Sequence, residues 1–236
     1  MNTDTAGSAQ GGGAAPRVIA IDGPSASGKS STARDVAVRL GFVHLNSGLL
    51  YRAVTWTALR DGWYTAPDFD RRVGALQLDL VPTGSEFALR MGGERPGAWL
   101  QSAAVTGRVS SVAERGAVRD AVNAVMRRAG AATSLVADGR DIGTVVFPDA
   151  FLKIYLTASP DERARRRLSE WAEATPAEAI AAEARRLTAR DRHDAGREIA
   201  PLSRADDAIE IDTTEMGRVE VVDEIVRLYE SRKSDP

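Results

Sequence analysis

The chain has 236 residues, of which 43% are hydrophobic, and its formal net charge is -2. A chain of this length can bury a sizeable core as one globular domain, and a charge so near zero excludes a general electrostatic affinity for nucleic acid or for an anionic membrane. The absence of cysteine excludes disulfides and thiolate metal sites.

The first 16 residues are rich in Gly, Ala, Ser and Thr, and they contain no basic region and no apolar stretch of signal-peptide length. This composition predicts a disordered tail over residues 1–16. No segment approaches the roughly 20 apolar residues that span a bilayer. We therefore expect a cytoplasmic protein without nucleic-acid or membrane partners, and nothing in the sequence requires more than a monomer.

Short apolar strands alternate with helical patterns along most of the chain. The predicted strands are Val18–Asp22, Phe42–Leu45, Ser134–Ala137, Phe151–Thr157 and Ile209–Asp212. The predicted helices are Lys29–Leu40, Asp161–Ala174, Pro176–Arg190 and Arg218–Ser231. This alternation predicts an α/β fold with a doubly wound, parallel five-stranded sheet.

The middle of the chain breaks this alternation. Strand-like segments at Leu76–Val81 and Glu86–Met91 flank the turn signal Pro82-Thr83-Gly84. We predict a small antiparallel β insertion here. The chain then forms a single domain over residues 17–236, with core segments 17–65 and 131–236 and the insertion at 66–130.

A phosphate-binding loop follows the first strand. Residues 23–30 fit the pattern G-x-x-x-x-G-K-[ST], with a strand before them and a helix after them. In such a loop the backbone N–H groups surround nucleotide phosphates, Lys29 reaches the terminal phosphates and Ser30 offers a hydroxyl to Mg²⁺. The predicted ATP-binding residues here are Gly23, Pro24, Ser25, Ala26, Ser27, Gly28, Lys29, Ser30 and Ser31.

The loop alone does not choose among a switch GTPase, a mechanical ATPase and a small-molecule kinase. None of the three lysines, Lys29, Lys153 and Lys233, lies in the Asn/Thr-Lys-x-Asp setting of a guanine reader. The switch GTPase is therefore disfavoured.

Three polar segments, residues 46–52, 137–150 and 190–202, carry clustered arginines and carboxylates. The first two follow predicted strands, so they should meet the phosphate loop at the carboxyl edge of the sheet. Together with that loop, these segments resemble the bacterial cytidylate kinases, in order and from about Val18 to the C-terminal helix. The resemblance implies a P-loop kinase that transfers the terminal phosphate of Mg²⁺-ATP to CMP or dCMP in line.

The resemblance assigns Arg52, Arg140 and Arg197 to the acceptor phosphate, with Ser47 as a nearby hydroxyl contact. The acceptor phosphate is largely dianionic at neutral pH, since its second pKa is about 6. No strong general base is then needed, and the difficulty is repulsion between two polyanions, which guanidinium groups neutralise. These three arginines and Lys29 are the predicted catalytic residues.

Ser110, Arg119 and Asp141 match the cytosine-reading positions of the same family. Cytosine presents a donor at N4 and acceptors at N3 and O2, so a carboxylate, a guanidinium and a hydroxyl complement it. Uracil presents an acceptor where cytosine has its donor, so Asp141 would disfavour UMP.

Arg190 and Asp194 match the family's sugar-binding pair. Asp138, at the end of a predicted strand, lies where a Walker-B-like acid would hold Mg²⁺ through water, and Ser30 would be its second protein ligand. The arginine-rich run after Asp161 resembles a lid over about residues 159–175. Its Arg163 and Arg167 would cover the ATP phosphates, although the run also fits a solvated helix face.

Two departures from the family pattern stand out: Asn46 where an acid is common, and Leu100-Gln101 where Ile-Arg is common.

Two alternative functions stay open at this point. One is a P-loop kinase for another acceptor, such as UMP, AMP or a small hydroxylated molecule. The other is a module that hydrolyses ATP and acts as a switch.

Overall fold

The computed structural model describes residues 15–169 and 176–234. The predicted tail, up to residue 14, and the part of the predicted lid at residues 170–175 lie outside this description. The strands are β1 (Val18–Asp22), β2 (Val43–Asn46), β3 (Leu78–Thr83), β4 (Glu86–Met91), β5 (Leu135–Gly139), β6 (Leu152–Thr157) and β7 (Ile209–Asp212).

The strands are joined mainly by helices. The helices are α1 (Lys29–Leu40), α2 (Ser47–Arg60), α3 (Phe69–Gly74), α4 (Ala103–Thr106), α5 (Val109–Val112), α6 (Gly116–Ala132), α7 (Pro160–Ser169), α8 (Ala177–Ala195) and α9 (Arg218–Ser234). A 3₁₀ turn spans Ala98–Gln101, and a π-helical turn spans Ile142–Val146. None of the helices over the described residues is long and apolar enough to cross a membrane.

The prediction of five parallel strands is confirmed for the core, where β2, β5, β1, β6 and β7 pair in parallel in that order. The complete sheet, however, has seven strands over the described residues, in the order β3-β4-β2-β5-β1-β6-β7. The insertion hairpin adds the other two, because β4 continues the sheet beside β2 through the pair His44 and Glu86. Without β4, β2 would be an edge strand with unpaired backbone groups. With β4 in place, the His44 N–H of β2 donates to the Ser85 carbonyl at 2.7 Å.

Side chains of successive β1 residues enter two different cores, as the two-residue period of a strand requires. Ile19 and Ile21 pack with residues of α1 and α9 on one face, whereas Ala20 packs with residues of α2 and α6 on the other. Both faces of the central strands are therefore buried against apolar side chains. The predicted site residues lie at the strand ends, where the phosphate loop follows β1, Ser47 follows β2 and Arg140 follows β5.

Candidate active site

A cavity of about 500 Å³ opens at the carboxyl ends of β1, β2 and β5. Every residue that the sequence predicted for the site lines this cavity, except Gly23, Pro24 and Arg163. The lining residues among the predictions are Ser25, Ala26, Ser27, Gly28, Lys29, Ser30, Ser31, Ser47, Arg52, Ser110, Arg119, Asp138, Arg140, Asp141, Arg167, Arg190, Asp194 and Arg197. The fold thus brings together segments that are up to about 170 residues apart in the chain.

The phosphate loop has the strained backbone that an anion cradle requires. Gly23 and Gly28 have φ angles of 148° and 87°, and Ala26 has a φ of 59°. Lys29 begins α1, is almost fully buried, and donates from Nζ to the Pro24 carbonyl at 2.6 Å and to Ser27 Oγ at 3.2 Å. Burial, assisted by the charge of Arg140, holds the Lys29 pKa well below its usual value. An anion bound in the loop would favour the charged ammonium.

Ser25 ties the loop to three other parts of the chain. Its N–H donates to Asp191 Oδ1 at 2.8 Å, its carbonyl accepts from Arg163 Nη1 at 3.0 Å, and its hydroxyl accepts from Arg140 Nη2 at 2.8 Å. Arg163 also forms an ion pair with Asp191 and is buried. Arg163 therefore holds the loop from outside the cavity, whereas Arg167, the other arginine of the predicted lid, lines the cavity.

Ser30 and Asp138 lie side by side, and Ser30 Oγ donates to Asp138 Oδ2 at 2.5 Å. The other carboxylate oxygen of Asp138 lies 2.7 Å from His44 Nε2, and Asn46 Nδ2 donates to Ser30 Oγ at 3.3 Å. The described residues contain no cluster of three or more His, Cys, Asp or Glu side chains that could enclose a metal by itself. One carboxylate and one hydroxyl nevertheless suit Mg²⁺, which takes its remaining oxygens from water and substrate phosphates.

Three arginines surround Asp194 at the predicted acceptor side of the cavity. Arg140 and Arg197 contact it, and Arg190 lies close to it. Asp194 is buried, accepts from Arg140 Nε at 3.1 Å and pairs with Arg197. Burial and the positive charge of Arg140 lower the pKa of Arg190. So much positive charge around one carboxylate indicates a site for an anion.

Arg52 approaches the same region from α2. Its Nη1 donates to the Leu100 carbonyl and to Thr106 Oγ1, both at 2.9 Å. Burial lowers its pKa, and the charges of Arg190 and Arg167 lower it further. Ser47, at the start of the same helix, uses its hydroxyl to donate to the Asp138 carbonyl at 2.7 Å.

Arg119 and Asp141 form a buried ion pair at the far side of the cavity. Arg119 also donates from Nη1 to the Ala113 carbonyl at 3.0 Å, which fixes the plane of its guanidinium. Burial raises the pKa of Asp141, and the charge of Arg119 opposes that rise. Ser110 lines the same cavity, so all three predicted base-reading residues are lining residues of one cavity.

Tyr51 is a cavity residue that the sequence reasoning did not single out. It lies one turn of α2 after Ser47, which places both side chains on one face. Its hydroxyl is buried without a hydrogen-bond partner in the described part of the chain, and burial raises its pKa. The hydroxyl is therefore neutral, and it has no polar partner within the described residues. The signal in the sequence was its place immediately before Arg52.

Comparisons with known proteins point to one family. A family model described as "Cytidylate kinase" matches residues 19–231. A cytidylate kinase of Streptomyces griseus subsp. griseus is 39% identical over 221 residues, which cover 92% of this chain and 94% of the relative. A bifunctional pantoate ligase/cytidylate kinase of Synechococcus sp. (strain CC9311) is 42% identical over 219 residues, which cover 91% of this chain and 44% of the relative.

The chain thus spans less than half the length of the bifunctional relatives it matches. Among solved structures, an uncharacterized protein from Eubacterium ventriosum ATCC 27560 superposes with a TM-score of 0.50 at 12% identity, covering 91% of this chain and 98% of that one. This likeness concerns the fold alone.

Proposed function

Since the chain belongs to the cytidylate kinase family, we propose that it transfers the terminal phosphate of ATP to CMP or dCMP, giving ADP and CDP or dCDP. The observation that carries the proposal is one cavity lined by the phosphate loop on one side and by the arginines around Asp194 on the other, which would give it two anion sites. A protein that only hydrolyses ATP has no use for the second site.

On the donor side, the loop N–H groups and Lys29 would hold the β- and γ-phosphates of ATP. Ser30 and Asp138 would hold Mg²⁺, which supplies charge neutralisation at the phosphates when bound. Arg167 lines the cavity and is the residue we assign to closure over the ATP phosphates.

On the acceptor side, Arg52, Arg140 and Arg197 would hold the CMP phosphate and align one of its oxygens with the γ-phosphorus. Transfer is direct: the acceptor oxygen forms the new P–O bond while the bond to the ADP oxygen breaks. Guanidinium groups fixed in advance lower the repulsion between the two anions without reorganising. Arg190 and Asp194 would contact the sugar.

Base recognition would rest on Asp141, Arg119 and Ser110. A carboxylate held by Arg119 accepts from the N4 amino group of cytosine and repels the O4 oxygen of uracil. Tyr51 lines the same cavity, and its hydroxyl, which has no partner within the described residues, would offer a further polar contact to the nucleotide.

The activity is tested by a coupled assay of ADP release from Mg²⁺-ATP, with CMP, dCMP, UMP, AMP or no acceptor, run side by side. CMP and dCMP should stand well above the rest. ADP release that does not depend on an acceptor would make the protein an ATPase or switch. A higher rate with UMP or AMP would name a different kinase.

Asp141→Asn is expected to lower kcat/KM for CMP by about 10- to 100-fold. The ratio of kcat/KM for CMP to that for UMP should also fall, because an amide can donate to the uracil O4. The KM for ATP should change little. Steady-state kinetics with both acceptors measure the effect. Asp120→Asn is the matched control, since this carboxylate is exposed one residue after Arg119. An unchanged CMP to UMP ratio in Asp141→Asn would contradict the assignment.

We also propose that the enzyme acts in the cytoplasm as a monomer. Sedimentation equilibrium of the purified chain, with and without ATP and CMP, tests the oligomeric state.

A further inference from the structure

Asp22 is a buried carboxylate that the proposed reaction does not use. It is the last residue of β1, directly before Gly23, and only 4% of it is exposed. The described residues provide no ion pair to it. Its oxygens instead accept two backbone N–H groups, from Ile142 to Oδ1 at 2.8 Å and from Gly143 to Oδ2 at 2.7 Å.

These two N–H groups open the π-helical turn Ile142–Val146, which directly follows Arg140 and Asp141. The first N–H groups of a helical turn have no partner within the turn, so they need an outside acceptor when they are buried. Asp22 satisfies both at once. The carboxylate therefore fixes the backbone on the carboxyl side of the proposed base-reading residue.

The fit around this contact is close. A Cβ added at Gly143 would lie 3.4 Å from Asp22 Oδ2 and 3.2 Å from the Lys153 side chain. The cost of burying the carboxylate is also visible, because burial raises the Asp22 pKa to about 6 despite the two N–H bonds. Lys29, whose charge favours the ionised form, belongs to the phosphate loop. Asp22 thus directly precedes the phosphate loop and contacts the backbone that directly follows Asp141 of the proposed acceptor site.

We infer that Asp22 is a positioning residue for acceptor selection: it holds the turn after Asp141 against the end of β1, so that the base-reading carboxylate keeps a fixed place relative to the phosphate loop. This inference rests on the proposed function, because it concerns how that site recognises its acceptor. Asp22 touches neither ATP nor the acceptor in this scheme. Its effect passes through Ile142 and Gly143.

The test is Asp22→Asn, which preserves size and one acceptor oxygen but turns an amide donor toward one of the two N–H groups. We expect the KM for CMP to rise about tenfold or more, and the CMP to UMP ratio of kcat/KM to fall about tenfold, as one lost buried hydrogen bond implies. The KM for ATP should stay within about twofold. Hydrogen exchange at the amides of Ile142 and Gly143 should quicken about tenfold.

Ile19→Val serves as the matched control, because it removes buried volume from the same strand without touching the turn. A merely structural role of Asp22 would lower the melting temperature as the control does and leave the CMP KM, the acceptor ratio and the two amides unchanged. That result would overturn the inference. If Asp22→Asn does not fold, Asp22→Glu takes its place, since it keeps the charge but moves the carboxylate one methylene away from its position opposite the two N–H groups.

The two proposals fail in different ways. Wild-type protein that does not prefer CMP would refute the proposed function, and the exchange rates of the two amides would still decide whether Asp22 holds the turn. Wild-type protein that prefers CMP, with an Asp22→Asn variant of unchanged preference and exchange, would refute the inference alone.

Discussion

Lys29→Met is expected to lower kcat for CMP phosphorylation by about a thousandfold, the loss typical of removing a fixed charge from a phosphoryl-transfer site. Methionine keeps the length and the helix propensity of lysine at the start of α1. It cannot donate to Pro24 or Ser27, and it cannot stabilise charge on the transferred phosphate. Single-turnover and steady-state rates with Mg²⁺-ATP and CMP measure the loss.

Lys233→Met is the control for this variant, because it removes a lysine charge from an exposed position in α9. Its rates should match those of the unchanged protein. Lys29→Met protein that is folded and retains more than about a tenth of the activity would contradict the assignment of Lys29 as a main source of transition-state stabilisation.

Gly23→Ala is expected to destabilise the fold by about 3 kcal/mol and to abolish nucleotide binding. At a φ of 148°, a Cβ at this position would lie 2.0 Å from the Leu156 carbonyl oxygen in β6. Backbone on both sides of the contact would have to move, and the loop begins there. Chemical denaturation gives the free energy of unfolding, and thermal shift with ATP reports binding.

Gly41→Ala is the control, because it introduces the strain of a positive φ without the steric clash expected for Gly23→Ala. Gly41 has a φ of 67°, and no atom lies within 4 Å of an added Cβ. It should cost only about 1 kcal/mol, as a left-handed alanine does. Equal losses in the two variants would mean that the Leu156 contact is relieved without cost and that the prediction for Gly23 is wrong.

Local chemistry explains what could be predicted from the sequence. The bounds of β1, α1, β4 and β7 match the expected ones, because each is a short apolar or helical pattern with clear stops. The helix α2 was missed, since its polar first residues, which line the cavity, were interpreted only as a binding segment. The helix α6 was also missed, although Val118, Val122 and Met126 recur at helical spacing.

Within the site, motif positions predicted which side chains meet but not what each one contacts. Arg163 was expected over the ATP phosphates, and it lies behind the loop instead, on the carbonyl groups of Ser25 and Ala158. Asp22 left no signal because its partners are backbone N–H groups about 120 residues away. A contact between one side chain and distant backbone has no spacing pattern in a sequence.

The bracing of Ser25 has a consequence for the thermodynamics of nucleotide binding. Loops that must order around a ligand lose conformational entropy in the binding step, which weakens affinity. Here Asp191, Arg163 and Arg140 hold Ser25 by its N–H, its carbonyl and its hydroxyl before any nucleotide arrives. The conformational entropy of that part of the loop is therefore lost when the chain folds, and the proposed binding of ATP would cost less entropy there.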